Sequence, residues 1–183
     1  EVGMFVAATG IGKTTLLTSI ANKCAVDKNK VIHIIFEGRT NQYMELHLRK
    51  MNMSYKEIKE HYINDYLTLI KFEEGATTIK DVVSSIDNYI KKNGNVDMIV
   101  VDYIDCIRHT TTTKDFWQGE SEVVNELENY VVRNNCCLWT AVQTNRSGLN
   151  ADESDMTQIA GSKKKLDKAS MVVFLSRNRE QML

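Results

Sequence analysis

Six short apolar runs, separated by polar or helix-like stretches, constrain the fold of this 183-residue sequence more than any other feature. Unbroken apolar runs of this length are typical of strands that are buried on both faces of a parallel sheet. Their alternation with helical patterns indicates an α/β fold. The sequence therefore predicts a mostly parallel, twisted sheet with helices on both faces. The strands are predicted at 3–8, 31–36, 67–72, 98–103, 137–142 and 171–176.

The stretches between the predicted strands carry signals of helices. Leu16, Leu17 and Ile20 recur with a helical period, and Ser54 and Glu57 have the spacing of a capping box. Two polar stretches that follow strands have no apolar period and are predicted to be loops. Helices are predicted at 13–25, from 54 to about 63, at 78–90 and at 122–132, and loops at 109–121 and 144–156.

The chain is long enough for one sizeable core, and it has no proline, internal repeat or linker that would mark a boundary. One domain is therefore expected over residues 1–183. The first residue is Glu1 and not a methionine, and an apolar strand follows at once. We therefore expect a fragment whose upstream domain is missing.

The amino-acid composition limits which partners the protein can bind and where in the cell it can lie. Lysine and arginine number 23 against 24 aspartates and glutamates, so an anionic partner would have to be met by a small local cluster of positive charge. The four cysteines lack a C-x-x-C spacing and the four histidines lack ligand spacing, which favours reduced thiols and packing or surface roles over a metal centre. No run approaches the roughly 18 apolar residues of a membrane span. We expect a soluble, cytoplasmic protein.

The stretch AATGIGKTT at residues 7–15 follows the first predicted strand and opens the first predicted helix. A phosphate loop needs inward backbone N–H groups, glycines at the tight bend, a lysine for the outer phosphates and a hydroxyl for Mg²⁺. The usual first glycine of this motif is Ala7 here, and an accidental strand-turn-helix is the alternative interpretation. We predict that ATP is bound by Thr9, Gly10, Ile11, Gly12, Lys13, Thr14 and Thr15.

Two further predicted strands end in a carboxylate. Asp102 closes the apolar run that starts at residue 98, and we predict that it holds Mg²⁺ together with Thr14. Glu37 closes the run that starts at residue 31, and we predict that it orients the water that attacks the γ-phosphate. The alternatives are an aspartate that merely begins a turn and a solvated glutamate.

Other residues compete for or complete these roles. Asp105 and the pair Glu73 and Glu74 are alternatives to Glu37 as the group that orients the water. Gln143 ends a fifth strand, where its amide could detect whether the γ-phosphate is present. The alternative for Gln143 is a polar strand end without a role.

This set of motifs resembles the motor domain of DnaB-type replicative helicases and of phage primase-helicases. The resemblance rests on Ala7, on Asp-Tyr-Ile at 102–104, on Gln-Thr-Asn-Arg at 143–146, on Gly-Ser at 161–162 and on the apolar stretch 170–178. It covers nearly the whole chain, and it implies a RecA-like P-loop NTPase that uses ATP and Mg²⁺.

The resemblance also implies a homo-oligomer, a ring of six subunits that moves 5′ to 3′ on single-stranded DNA, with a primase and a helicase loader as further partners. The residues that match the family's DNA loop are Gly161, Ser162, Lys163 and Lys164, with Arg146 from the sensor motif. Lys165 is left open between DNA contact and a solvated helix face.

The chain also departs from the family pattern. Ala160 and Ser170 stand where family members often have Arg and Asp, and the family's arginine-finger hairpin would lie beyond Leu183. Two other functions share the predicted fold. One is a RecA- or RadA-like strand-exchange ATPase, and the other is a nucleotide-gated scaffold or loader with little unwinding activity.

Overall fold

The computed structural model describes residues 1–51, 65–109, 116–143 and 163–176. Within these residues lies a six-stranded sheet in which every pair of neighbouring strands is parallel. The predicted α/β fold class is confirmed, and each predicted strand is present within two residues of its expected bounds. The strands are β1 (Val2–Ala7), β2 (Val31–Ile35), β3 (Leu67–Lys71), β4 (Met98–Asp102), β5 (Cys137–Gln143) and β6 (Met171–Phe174), in the spatial order β3-β2-β4-β5-β1-β6.

Helices connect these strands. They are α1 (Lys13–Val26), α2 (Thr40–Met51), α3 (Ile79–Asn93), α4 (Phe116–Arg133) and the short α5 (Lys163–Leu166), and a 3₁₀ turn spans Ile104–Cys106. The helices predicted at 13–25, 78–90 and 122–132 are confirmed. The helix predicted from 54 to about 63 lies outside the described residues. Within the described part, no helix combines the length and apolar character needed to cross a membrane.

The helices differ from the sequence-based expectations in two places. The helix α2 was not predicted, because its deeply buried side chains are Tyr43 and His47 and these do not form an apolar stripe. The loop predicted at 109–121 is wrong from Phe116 onward, since α4 begins there. The apolar period covers 122–132, so it marks the middle of that helix and does not mark its first turns.

The sheet is covered on both faces. On one face, Leu17 and Ala21 of α1 pack against Val100 of β4. On the other face, Ile86 of α3 and Leu127 of α4 belong to a second apolar cluster. Every residue of β1, β2 and β4 is buried, as expected of central parallel strands that are enclosed from both sides.

Two local features show how the sequence fits this packing. Thr78 caps α3, and the carboxylate of Asp81 accepts a hydrogen bond from the backbone N–H of Thr78 at 2.8 Å, which completes a capping box. Gly3 on β1 lies opposite Trp139 on β5, where a Cβ atom would approach the indole ring to 2.7 Å. A side chain larger than hydrogen therefore does not fit at Gly3.

The carboxyl ends of the six strands lie on one edge of the sheet because all the strands are parallel. The pairing brings Ala7 next to Gln143 and Ile35 next to Asp102 at this edge. In open parallel sheets, ligands bind outside the carboxyl ends where the strand order reverses. The central strands β2, β4, β5 and β1 therefore place their terminal residues where a ligand would bind.

Candidate functional site

A cavity of about 470 Å³ opens at this edge of the sheet. Its wall is built by the loop between β1 and α1 and by the ends of β2, β4 and β5. Residues predicted from separate motifs thus meet around a single space. The cavity is lined by Thr9, Gly10, Gly12, Lys13, Thr14, Glu37, Asp102, Tyr103 and Gln143.

The loop before α1 has the backbone of an anion cradle. Gly10 and Gly12 have φ angles of 82° and 114°, which lie in the left-handed region that glycine tolerates best. Gly12 is the N-cap of α1 and supplies no side-chain cap, and the first turn of the helix carries no acidic residue. The first N–H groups of α1 therefore lie at the cavity end of the helix, and no carboxylate in the first turn competes for them. This arrangement favours a bound anion.

Lys13 lies at the start of α1 and turns its ammonium group back over the loop. Its Nζ donates hydrogen bonds to the backbone oxygens of Ala7 at 2.8 Å and Ala8 at 3.0 Å. Burial lowers the pKa of Lys13, while the carboxylates of Asp102, Asp105 and Glu37 oppose that shift. The ammonium is thus held in a partly buried position where phosphate oxygens would be strong partners.

Asp102, at the end of β4, is only 2% exposed. Tyr43 of α2 donates a hydrogen bond from its hydroxyl to Oδ2 of Asp102 at 2.8 Å, and the hydroxyl of Thr14 bonds to the same carboxyl group. Burial raises the pKa of Asp102, and the two hydroxyl donors and Lys13 oppose the rise. The hydroxyl of Thr14 and the carboxylate of Asp102 therefore stand together as two hard oxygen ligands.

Glu37 follows β2 and is exposed to solvent at the cavity mouth. The hydroxyl of Tyr103 donates a hydrogen bond to Oε1 of Glu37 at 3.2 Å. Ligand atoms of Glu37, Glu74 and Cys106 lie within 4.8 Å of one another. Burial raises the pKa of Cys106 to about 11, so its thiol stays protonated and is a poor metal ligand. Glu74 remains the neighbouring carboxylate that could replace Glu37 in orienting water.

Gln143 lines the cavity, and its backbone is hydrogen-bonded to Asp105. The backbone N–H of Gln143 donates to Oδ2 of Asp105 at 3.1 Å, and Nζ of Lys165 lies 2.5 Å from Oδ1. Both carboxylate oxygens of Asp105 are therefore engaged by the protein itself. This leaves Asp105 poorly suited to orient a water molecule, in contrast to Glu37, which lines the cavity.

The sequence matches the model of the AAA domain family AAA_25 over residues 1–148. The chain belongs to this AAA domain family. No curated protein matches the sequence.

Among solved structures, this AAA domain is similar to the ATPase domain of a phage DnaB-like helicase, with a TM-score of 0.77 and 13% identity over 96% of the chain and 69% of that structure. A structure of a DnaB-like replicative helicase and its interactions with primase has a TM-score of 0.75 and 12% identity, covering 98% of this chain and 48% of that one. This chain therefore spans about half the length of the second helicase. The predicted resemblance to the RecA-like fold of DnaB-type motor domains is confirmed.

The remaining predicted residues of the AAA domain fall in three places. Ile11 and Thr15 line a second cavity of about 460 Å³, which is bounded by Phe174 of β6 and shares Gly12 with the first. The backbone of Lys163 and Lys164 lies in α5. Three predicted DNA contacts, Arg146, Gly161 and Ser162, lie outside the described residues.

Lys165 does not lie on a solvated helix face, which was one of the two roles considered for it from the sequence, because it is only 3% exposed. Its ammonium is paired with Asp105. Two tyrosines of the site were not predicted to act there. Tyr103 belongs to the recognised Asp-Tyr-Ile stretch, whereas Tyr43 lies in a part of the sequence that carried no signal for the site.

Proposed function

We propose that this AAA domain is the ATP-driven motor of a DnaB-type replicative helicase, which moves along single-stranded DNA as a ring of six subunits. The observation that carries the proposal is the single cavity that gathers Lys13, Thr14, Glu37, Asp102 and Gln143 from four strand ends. These five residues supply each kind of group that ATP hydrolysis requires. The similarity in fold to two helicase domains supports the same function.

ATP binding is assigned to the loop and helix that follow β1. The N–H groups at the start of α1 and the ammonium of Lys13 would bind the outer phosphates. Gly12 lines both cavities, so the nucleotide can extend from the first cavity towards Ile11 and Thr15 in the second. Thr14 and Asp102 fit Mg²⁺ because both offer oxygen atoms, and a Mg²⁺ ion held there would neutralise charge on the transferred phosphoryl group.

The chemical step is assigned to Glu37. Its carboxylate is exposed at the cavity mouth, and Tyr103 holds one of its oxygens, so the other can accept a hydrogen bond from the attacking water. Gln143 ends β5 beside the phosphate loop, and its amide would bond to the γ-phosphate. Loss of that phosphate would then release the tip of β5.

DNA binding is assigned by the match to the family motifs. Gly161 and Ser162 would donate backbone N–H groups to DNA phosphates, and Lys163, Lys164 and Arg146 would add positive charge. Such contacts hold any sequence, as a motor on single-stranded DNA requires. Movement in the 5′ to 3′ direction and association with a primase and a loader belong to the same proposal.

The variant Glu37→Gln of the full-length protein tests the assignment. It should bind ATP as the wild type does, while steady-state hydrolysis falls by about 10² to 10⁴-fold, the usual contribution of a positioned acid or base. Glu73→Gln and Glu74→Gln test the two neighbouring alternatives, and both should hydrolyse ATP as the wild type does. Unchanged hydrolysis in Glu37→Gln, together with a loss in Glu74→Gln, would move the role to Glu74.

The assembly and the DNA dependence are tested separately. Electron micrographs of the full-length protein with ATP should show closed six-membered rings, and single-stranded DNA should stimulate hydrolysis. Open filaments would indicate a strand-exchange ATPase. Absence of DNA stimulation in the intact protein would indicate a nucleotide-gated scaffold or loader.

A further inference from the structure

The hydroxyl of Tyr43 contacts both residues that are assigned to Mg²⁺. It donates a hydrogen bond to Oδ2 of Asp102 at 2.8 Å. The hydroxyl of Thr14 forms hydrogen bonds with the same carboxyl group and with the hydroxyl of Tyr43. Tyr43 is only 8% exposed and is not among the residues that line the nucleotide cavity. One buried phenol hydroxyl therefore supports both candidate metal ligands without lining the cavity itself.

The helix α2, which carries Tyr43, is anchored by buried polar contacts one turn further along. His47 follows Tyr43 by four positions, so the two side chains share one face of the helix. Nε2 of His47 faces Nδ1 of His33 on β2 at 3.0 Å, and the side-chain amide of Asn22 on α1 donates to the backbone oxygen of His47 at 3.1 Å. Because Thr14 also belongs to α1, these contacts fix Tyr43 relative to Thr14.

The bonds of Tyr43 act on the orientation of both candidate ligands. A hydroxyl that binds a metal ion with its oxygen must direct its hydrogen to another acceptor, and the carboxylate of Asp102 and the oxygen of Tyr43 are such acceptors for Thr14. The bond from Tyr43 to Oδ2 also restricts the rotation of the carboxylate of Asp102. Since Thr14 and Asp102 both line the cavity, their oxygens are presented there in a fixed arrangement.

We propose that Tyr43 is a positioning residue of the Mg²⁺ site, whose hydroxyl holds Thr14 and Asp102 in the orientation that binds the metal ion together with the nucleotide. The inference rests on the proposed function, because it requires that this cavity bind a nucleotide with Mg²⁺. Removing a group that is hydrogen-bonded to a metal ligand typically lowers metal affinity by about 10- to 100-fold. Loss of the Tyr43 hydroxyl should therefore weaken Mg²⁺ binding and leave the phosphate loop intact.

The test measures the affinity of the full-length protein for a fluorescent ADP analogue, in a chelator and over a series of Mg²⁺ concentrations. Tyr43→Phe keeps the ring and removes only the hydroxyl. Its affinity in the chelator should stay near the wild-type value, while the Mg²⁺ concentration that gives half of the metal-dependent gain in affinity should rise by about 10- to 100-fold.

Tyr130→Phe is the matched control. The hydroxyl of Tyr130 donates to Oδ1 of Asp87 at 2.6 Å, and neither of these residues lines the cavity. This variant removes the same kind of bond between a tyrosine and an aspartate, and it should keep the wild-type dependence on Mg²⁺. A wild-type dependence in Tyr43→Phe would overturn the inference, and so would an equal rise in Tyr130→Phe. Equal losses of affinity in the chelator and in Mg²⁺ would also overturn it, because they would indicate a general structural role.

A second measurement does not depend on whether Tyr43→Phe folds. Fluorotyrosine is placed at position 43 or at position 130, and its fluorine NMR resonance is recorded in the ADP complex before and after Mg²⁺ is added. The resonance should shift at position 43 and stay in place at position 130, and an unchanged resonance at position 43 would refute the inference. Failure of the proposed function is distinguishable. A wild type that binds the ADP analogue with Mg²⁺ but forms no ring on DNA would refute only the motor, whereas a wild type that binds no nucleotide would refute both.

Discussion

Acidification should destabilise this domain through two buried histidines. His33 and His47 are both 0% exposed. Burial lowers the pKa of His47 from 6.5 to about 4, and burial together with the neighbouring His47 lowers the pKa of His33 well below 6.5. Unfolding returns both rings to an ordinary pKa, so the unfolded chain binds protons that the folded chain does not. The stability that the neutral rings contribute is therefore present above pH 6.5 and is lost as the pH falls from 6.5 towards 4.

The contacts of the two rings explain why protonation is unfavourable. Nδ1 of His33 and Nε2 of His47 face each other at 3.0 Å, and Nδ1 of His47 contacts Oδ1 of Asn22. Because Oδ1 of Asn22 can only accept, Nδ1 of His47 carries the hydrogen, and Nε2 of His47 accepts a hydrogen bond from Nδ1 of His33. A proton added to Nε2 of His47 would therefore set two N–H groups against each other. Nε2 of His33 has no hydrogen-bond partner among the described residues, so a charge on that ring would gain no new acceptor.

The size of the effect follows from the two pKa values. Between about pH 7.5 and pH 5.0, the shift of His47 from 6.5 to about 4 corresponds to a loss of about 2 kcal/mol in the free energy of unfolding. The pKa of His33 is lowered in the same direction, so His33 adds to this loss. Since the whole stability of a domain is about 5–15 kcal/mol, a loss of about 2 kcal/mol from His47 alone is a substantial part of it.

Urea denaturation followed by tryptophan fluorescence at a series of pH values measures this loss. His47→Gln replaces the ring with an amide that cannot ionise, and it should reduce the pH-dependent loss between about pH 7.5 and pH 5.0 by about 2 kcal/mol. His109→Gln, at the end of the segment after β4, is the matched control for replacing a histidine that is outside the buried pair. An unchanged dependence in His47→Gln would refute the assignment to the buried pair.

Three further substitutions should have measurable effects on stability. Gly3→Ala should cost about 1–3 kcal/mol in urea denaturation because its Cβ meets the ring of Trp139; a neutral result would show that the indole can move aside. Tyr43→Phe should cost about 1.5–3 kcal/mol at neutral pH, because the buried carboxylate of Asp102 loses a hydrogen bond. The idea fails if the midpoint in urea does not change. Thr78→Ala should cost about 1 kcal/mol and Thr78→Ser should cost less, and equal thermal midpoints for the two would argue against the cap.

The strands could be predicted because their burial is visible in the sequence. Strands such as β2 and β4 are enclosed on both faces, and every position must therefore be compatible with the core. The order of the strands could not be predicted from such runs, since pairing joins segments that are far apart in the chain. The helix α2 was not predicted, for a different reason. Its inward positions are Tyr43 and His47, whose buried polar atoms are satisfied by distant partners on β4, β2 and α1.

For the candidate site too, the residues that belong to local motifs could be predicted, and their contacts with residues distant in sequence could not. Lys13, Glu37 and Asp102 each end or follow a strand, and parallel strands bring such residues to one edge, so their convergence could be expected from position alone. The side chains that form hydrogen bonds to these residues could not be predicted from their positions in the sequence. Tyr43 lies 59 residues from Asp102 in sequence, and the contact exists only because α2 packs where it does.

The three consecutive lysines at 163–165 show why sequence position could not separate their roles. Successive residues of a helix point about 100° apart, so at most part of such a run can face the same surroundings. The ammonium of Lys165 is enclosed, and it is tolerated there because Asp105, 60 residues away in sequence, supplies the opposite charge. The match to the family's DNA loop predicts DNA contact for Lys163 and Lys164 and leaves the role of Lys165 open. The inward position of Lys165 depends on the position of Asp105, which only the assembled sheet determines.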